Sequence, residues 1–171
     1  EPYSDRPNYT GITSFKPDVQ WAATLKGAKM GYDIHTHAMG DRTMRQTLDA
    51  YEAVRKAGYD KLRLATGHST LIHPDDLPCM KELKVIANTF AAMNAVPDET
   101  IVSRLGERAK HYTPQRTLLD AGIMITMSAD YPTAPLNPML QISIAMARRD
   151  PGMGLKFHGL EEDKLTLEEA I

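Results

Sequence analysis

Asp33-Ile34-His35-Thr36-His37-Ala38-Met39-Gly40-Asp41 decides how this chain is read. Tyr32 to His37 is a short run with strand character that ends in an imidazole and is followed by a turn and a helical pattern. The same sequence of events recurs twice. Leu62 to His68 ends in Gly67-His68, and Ile123 to Asp130 ends in Ser128-Ala129-Asp130. In a (β/α)8 barrel the reacting groups stand at the C-terminal ends of the parallel strands. Three polar groups delivered at strand ends therefore predict metal ligands presented by a barrel.

Working outward, Pro17 opens a helix with an apolar face of Val19, Ala22, Ala23, Leu25 and Ala28. Asp41 is placed to cap a helix carrying Met44, Leu48, Tyr51 and Val54, which Gly58 ends. Asp75 and Asp76 suit the start of a helix reaching about Lys84, and Val85 to Phe90 is the next strand. A polar excursion over 91–97 leads to a helix near Asp98 to Lys110. Thr113-Pro114 starts a helix stopped by Gly122, Ile123 to Met127 is a strand, and Asn137-Pro138 opens a helix to about Arg149. Thr166-Leu167-Glu168-Glu169 has the form of a capping box. Four strands alternating with helices predict an α/β fold with parallel strands joined by helical crossovers.

Asp33, His35 and His37 alternate, so they share one side of their strand, about 6.6 Å apart in succession. His37, nearest the strand end, is the ligand candidate; His35, one layer deeper, is expected to be a hydrogen-bonded supporting histidine. Adjacent strands lie about 4.8 Å apart, so His37 and His68 can share one zinc at about 2.0 Å each. Asp130 sits where an apolar strand meets Tyr131-Pro132. Beside two such histidines it is expected to be a metal-linked carboxylate and to act as general base and acid. His73, His111 and His158 are expected to be solvated or locally bonded, and the ten methionines to fill the core.

The 171 residues are 42% hydrophobic and 25% charged, with a formal net charge of −2. This is ordinary globular composition, and the scattered Lys and Arg argue against a nucleic-acid partner. No apolar run approaches the ~20 residues that span a bilayer, and no glycine loop suited to phosphate is present. The lone Cys79 cannot form an internal disulfide and reads as a small helix residue. A cytoplasmic location is the expectation, with the true N-terminus expected to lie outside this chain, so that the lack of a leader pattern at Glu1 carries little weight.

These motifs together resemble the amidohydrolase superfamily, in the family 3 branch that includes N-substituted formamide deformylase and exoenzyme regulatory proteins. The resemblance rests on Glu1-Pro2-Tyr3-Ser4-Asp5, His35 to Arg42, Gly67 to Asp76, Asp130-Tyr131-Pro132 with Pro135-Leu136-Asn137-Pro138, and Leu165 to Ala170. It implies a distorted TIM barrel that hydrolyses amide-like C–N bonds of small molecules with one or two divalent metals, usually zinc. By position, the resemblance makes His37 the ligand after the fifth strand, His68 that after the sixth, and Asp130 the aspartate after the eighth. In that role Asp130 both touches metal and handles the proton. One departure is Ala129, which separates Ser128 from Asp130 where the family usually has Ser-Asp.

The first strand of such barrels also carries an Asp-x-His-x-His pattern. Only 93 positions separate His37 from Asp130, however, and a whole barrel needs about 250 residues. Residues 1–171 are thus expected to form a single domain, the C-terminal half of a catalytic barrel from about strand 5 to strand 8, cut at both ends. A half barrel leaves strand edges open, so self-association is expected and turnover by the isolated chain is expected to be weak or absent. A non-catalytic regulatory or binding protein of the same fold is the alternative. A phosphoesterase is disfavoured because only Arg42 is a nearby cation.

Overall fold

A computed structural model describes residues 1–90, 98–148 and 163–171; the expectations for 91–97 and for His158 lie outside the described residues. The first helix, α1 (Pro17–Lys29), starts at the proline and carries Asp18 in its first turn and Lys29 in its last, matching the helix dipole. Strand β1 (Ile34–Ala38) is followed by α2 (Asp41–Lys56), then β2 (Leu64–His68), α3 (Leu77–Glu82) and β3 (Val85–Thr89). Next come α4 (Asp98–Leu105), a 3-10 turn over Gly106–His111, α5 (Gln115–Asp120), β4 (Ile125–Met127), α6 (Pro138–Ala147) and α7 (Leu167–Ala170).

All four strands are parallel, in the order β1-β2-β3-β4. Met44, Leu48, Tyr51 and Val54 fall on one face of α2 and are fully buried against Leu64 and Val85 of the sheet. Burying four such side chains removes enough apolar surface to stabilise this layer by about 1.5–3 kcal/mol each. The opposite sheet face carries His35, His37 and Thr126 exposed and Ile86 and Asn88 half-buried. One covered and one open face, with helices on a single side of a parallel sheet, is the layering of a barrel wall. The fold is α/β, a partial (β/α)8 barrel.

Three local readings need correction. Gly40, not Asp41, is the N-cap of α2, and no side chain caps that end. The Asp41 carboxylate is taken up by Arg108 at 2.7 Å and by the Arg42 amide at 2.7 Å. The helix expected to run from Asp98 to Lys110 stops at Leu105, because Gly106 adopts φ +57 and the chain tightens into a 3-10 turn. A Cβ at Gly106 would lie 2.6 Å from Ser4 Oγ, so this close approach requires glycine. Finally, the helix expected to reach about Lys84 is a 3-10 turn, Pro74–Asp76, followed by the six-residue α3.

Candidate active site

His37 lies next to last in β1, directly beside Gly67 of β2, while His68 pairs with Ala38. Simple alternation would turn His68 toward the helix side with Ala38, which is fully buried. The backbone prevents this: His68 has φ +66 and Ser69 φ +47, a left-handed pair that reverses the chain at the strand end. Its ring consequently meets His37 edge-on, with centroids 4.5 Å apart and planes at 74°, and lies 6.0 Å from Phe90. Two hydroxyls support the reversal, since buried Ser69 Oγ and Thr66 Oγ1 are 2.9 Å apart. The Leu71 amide then donates to the Met39 carbonyl at 2.9 Å, tying the loop after β2 to the loop after β1.

Burial holds the His68 imidazole below its ordinary pKa, and the neighbouring His37 and His35 push the same way, against the attraction of Asp130. The ring is thus biased to the neutral form, the form that ligates metal. Its Nδ1 is buried and has no hydrogen-bond partner among the described residues. Asp130 has left-handed backbone too, φ +49, with its loop closed by Thr133, whose amide donates to the Asp130 carbonyl at 2.8 Å and whose hydroxyl donates to Oδ2 at 3.2 Å. Residues held in sparsely populated backbone regions cluster at functional sites. Here His68, Ser69 and Asp130 are three of the six non-glycine residues with positive φ among the described residues.

The structure brings His37 and His68 into contact and places Asp130 within electrostatic reach of His68. Among the described residues, no three His, Cys, Asp or Glu side chains stand close enough together to enclose a metal. The donor types are nonetheless ones a divalent ion takes: two imidazoles in contact, one with an orphaned nitrogen, and a carboxylate whose charge reaches His68. His35 departs from expectation, being exposed and without a side-chain hydrogen bond among the described residues. Its Nε2 occupies the space over Gly67, where a Cβ would lie only 3.1 Å away.

His35 and His37 border a cleft of about 680 Å³ between β1 and the N-terminal segment, with Tyr3, Phe15 and Leu71 among its walls. Arg108, which sequence reading passed over, spans this rim by holding Asp41 while donating to the Pro2 carbonyl and pairing with Glu1 at 3.2 Å. Asn88 was passed over as well, although its period-2 position on β3 marks it as facing the open side. His73 is locally bonded as expected, its Nδ1 accepting from the Asp75 amide at 3.3 Å. Burial lowers the pKa of His111. Cys79 is a free thiol 3.5 Å from an Arg45 nitrogen.

Residues 1–171 match the amidohydrolase family. Protein LONG AFTER FAR-RED 3 of Arabidopsis thaliana is 28% identical over 154 residues, covering 88% of this chain and 26% of the relative. N-substituted formamide deformylase of Arthrobacter pascens is 28% identical, covering 86% and 27%. The chain thus spans about a quarter of the length of these curated relatives. Two solved structures, uncharacterized metal-dependent hydrolases of Pyrococcus horikoshii and Pyrococcus furiosus, superpose with TM-scores of 0.84 and 0.80 at 26% and 29% identity. Each superposition covers 99% of this chain and about a third of the other. The matched motifs, the parallel sheet and the strand-end histidines agree, and the chain belongs to the amidohydrolase family, in its family 3 branch.

Proposed function

We propose that this chain supplies strands 5 to 8 of a metal-dependent hydrolase barrel that cleaves amide-like, non-peptide C–N bonds in small molecules, with His37, His68 and Asp130 as its share of the metal site. The contact between His37 and His68 at adjacent strand ends, held by left-handed backbone, carries this reading. A divalent metal, with zinc the one the family resemblance favours, would supply Lewis acidity toward water and toward a carbonyl when bound. His68, biased to the neutral form by its burial, and His37 would hold it, and Asp130 would accept the proton of the attacking water and return it to the departing nitrogen. His35 and the cleft beside β1 lie where the substrate would enter.

The test is hydrolysis of non-peptide amides by a longer protein that carries these residues together with four further strand–helix units. Asp130→Asn is expected to reduce kcat by about 10²- to 10⁴-fold, with the fold retained by circular dichroism. Unchanged kcat would remove Asp130 from the reaction. A second reading, a non-catalytic binding or regulatory protein, is favoured by the absence of a ready three-ligand group among the described residues. It predicts no metal-dependent turnover from that longer protein.

A further inference from the structure

The strand register places His37, Gly67, Asn88 and Thr126 in one row across all four strands. Paired residues in a parallel sheet share a face, and this row lies on the open side, because Ala87 and Thr89 flanking Asn88 are buried at 0% and 2% exposure. Asn88 therefore stands at the level of His37, two strands away, across a glycine that contributes no side chain. An apolar residue, like Ile86 in the row below, would satisfy packing at this place.

The carboxamide of Asn88 is instead committed at one end to β4 and at the other to the residue that leaves it. Its Nδ2 donates to Thr126 Oγ1 at 2.9 Å, and its Oδ1 accepts from Ser128 Oγ at 3.0 Å. β4 is only three residues long, and its pairing with β3 ends at Met127 opposite Thr89. The Ser128 amide makes the last attachment, donating to the Thr89 carbonyl at 2.9 Å. Beyond it, among the described residues, the hydrogen bonds of Asp130 run only to Thr133 within its own loop. The point from which the chain of Asp130 leaves the sheet is thus Ser128, whose side chain Asn88 holds.

We infer that Asn88 is a positioning residue for Asp130, acting through the Ser128 hydroxyl. The inference rests on the reading of Asp130 as part of the metal site, and Asp130 lies two residues beyond Ser128, whose amide is bonded to the Thr89 carbonyl of the sheet. Supporting groups of this kind typically change metal affinity by about 10- to 100-fold when removed.

The experiment uses the purified chain and Co²⁺ as the probe, with Asn88→Ala, Ser128→Ala and the double variant. Affinity is followed by the visible absorption of bound Co²⁺, and thermal midpoints report on folding. Each single variant is expected to weaken Co²⁺ binding about 10-fold or more, and the double variant to be no worse than the weaker-binding single, because both break the same Asn88–Ser128 bond. Additive losses, or unchanged affinity in both singles, would overturn the inference. A parallel measurement needs no metal: the Asp130 ¹³Cγ resonance should shift in both variants of the apo chain, and an unmoved resonance would also overturn it. Binding of Co²⁺ that is indifferent to His37→Ala would sink the metal-site reading instead, while the Asp130 resonance still decides the role of Asn88.

Discussion

At the scale of the residue, the site depends on left-handed backbone at His68, Ser69 and Asp130, which costs about 1–2 kcal/mol for each non-glycine residue. The surrounding bonds must offset this. Ser69→Ala would leave Thr66 Oγ1 buried without its only side-chain partner among the described residues. A loss of about 1–3 kcal/mol of stability by urea denaturation is expected. A change within about 0.5 kcal/mol, the ordinary range of an inconsequential surface substitution, would show that the hydroxyl pair does not hold the turn. The three candidate residues stand out in the sequence because each closes a strand-like run. What alternation could not convey was that His68 turns back across its own strand end, since φ at a histidine leaves no mark in a hydrophobic pattern. His35 was misplaced for a related reason. Counting inward by layers assumes a filled barrel interior, whereas the space around this ring is set by Gly67.

At the scale of the element, strands and helices followed the periodicities closely because α2 and the sheet bury one contiguous apolar layer. Leu48, fully buried in the centre of α2, is expected to cost about 2–5 kcal/mol when changed to Ala, read by chemical denaturation. Element ends were less legible. They turn on single partners, such as Arg108 drawing Asp41 away from a capping role or Ser4 crowding Gly106. Thr166 was an exception, because a capping box is written in adjacent residues, and its hydroxyl does accept from the Glu169 amide at 3.3 Å. Arg116 of α5 holds the same Glu169 with two nitrogens, and with the Thr166 amide it depresses the Glu169 carboxyl to about 2. A carboxylate with a lowered folded pKa stabilises the fold above its unfolded pKa and loses that contribution as pH falls through the folded value. The docking of α7 is therefore expected to weaken from about pH 4.5 down to about 2, its ordinary and depressed values. Amide exchange over α7 checks this, and Glu169→Gln should show the weakened state at neutral pH. Exchange that is flat over that range would contradict it.

At the scale of the whole molecule, β1 and β4 are the two edges of the sheet, and the face carrying His35 and His37 is open. Ile12 at 88% exposure and Leu136 at 68% are large apolar side chains facing solvent. Open parallel edges and apolar surface favour association, so sedimentation at rising concentration is expected to show self-association; a monomer at every concentration would mean that these surfaces are tolerated alone. Among the described residues no helix is long and apolar enough to cross a membrane. The fold class was legible because helix and strand patterns alternate four times. The bond between Ser128 and Asn88 across the sheet was not, because it joins side chains 40 positions apart in the sequence.

The central claim is that His37 and His68 form part of a metal site, and metal content tests it most directly. Elemental analysis of the purified chain supplied with zinc is compared with that of the His37→Ala, His68→Ala double variant. The account predicts about one zinc per chain, as a shared two-histidine site requires, and loss of that metal from the double variant. Equal metal in both proteins, or none in the wild-type chain, would contradict it.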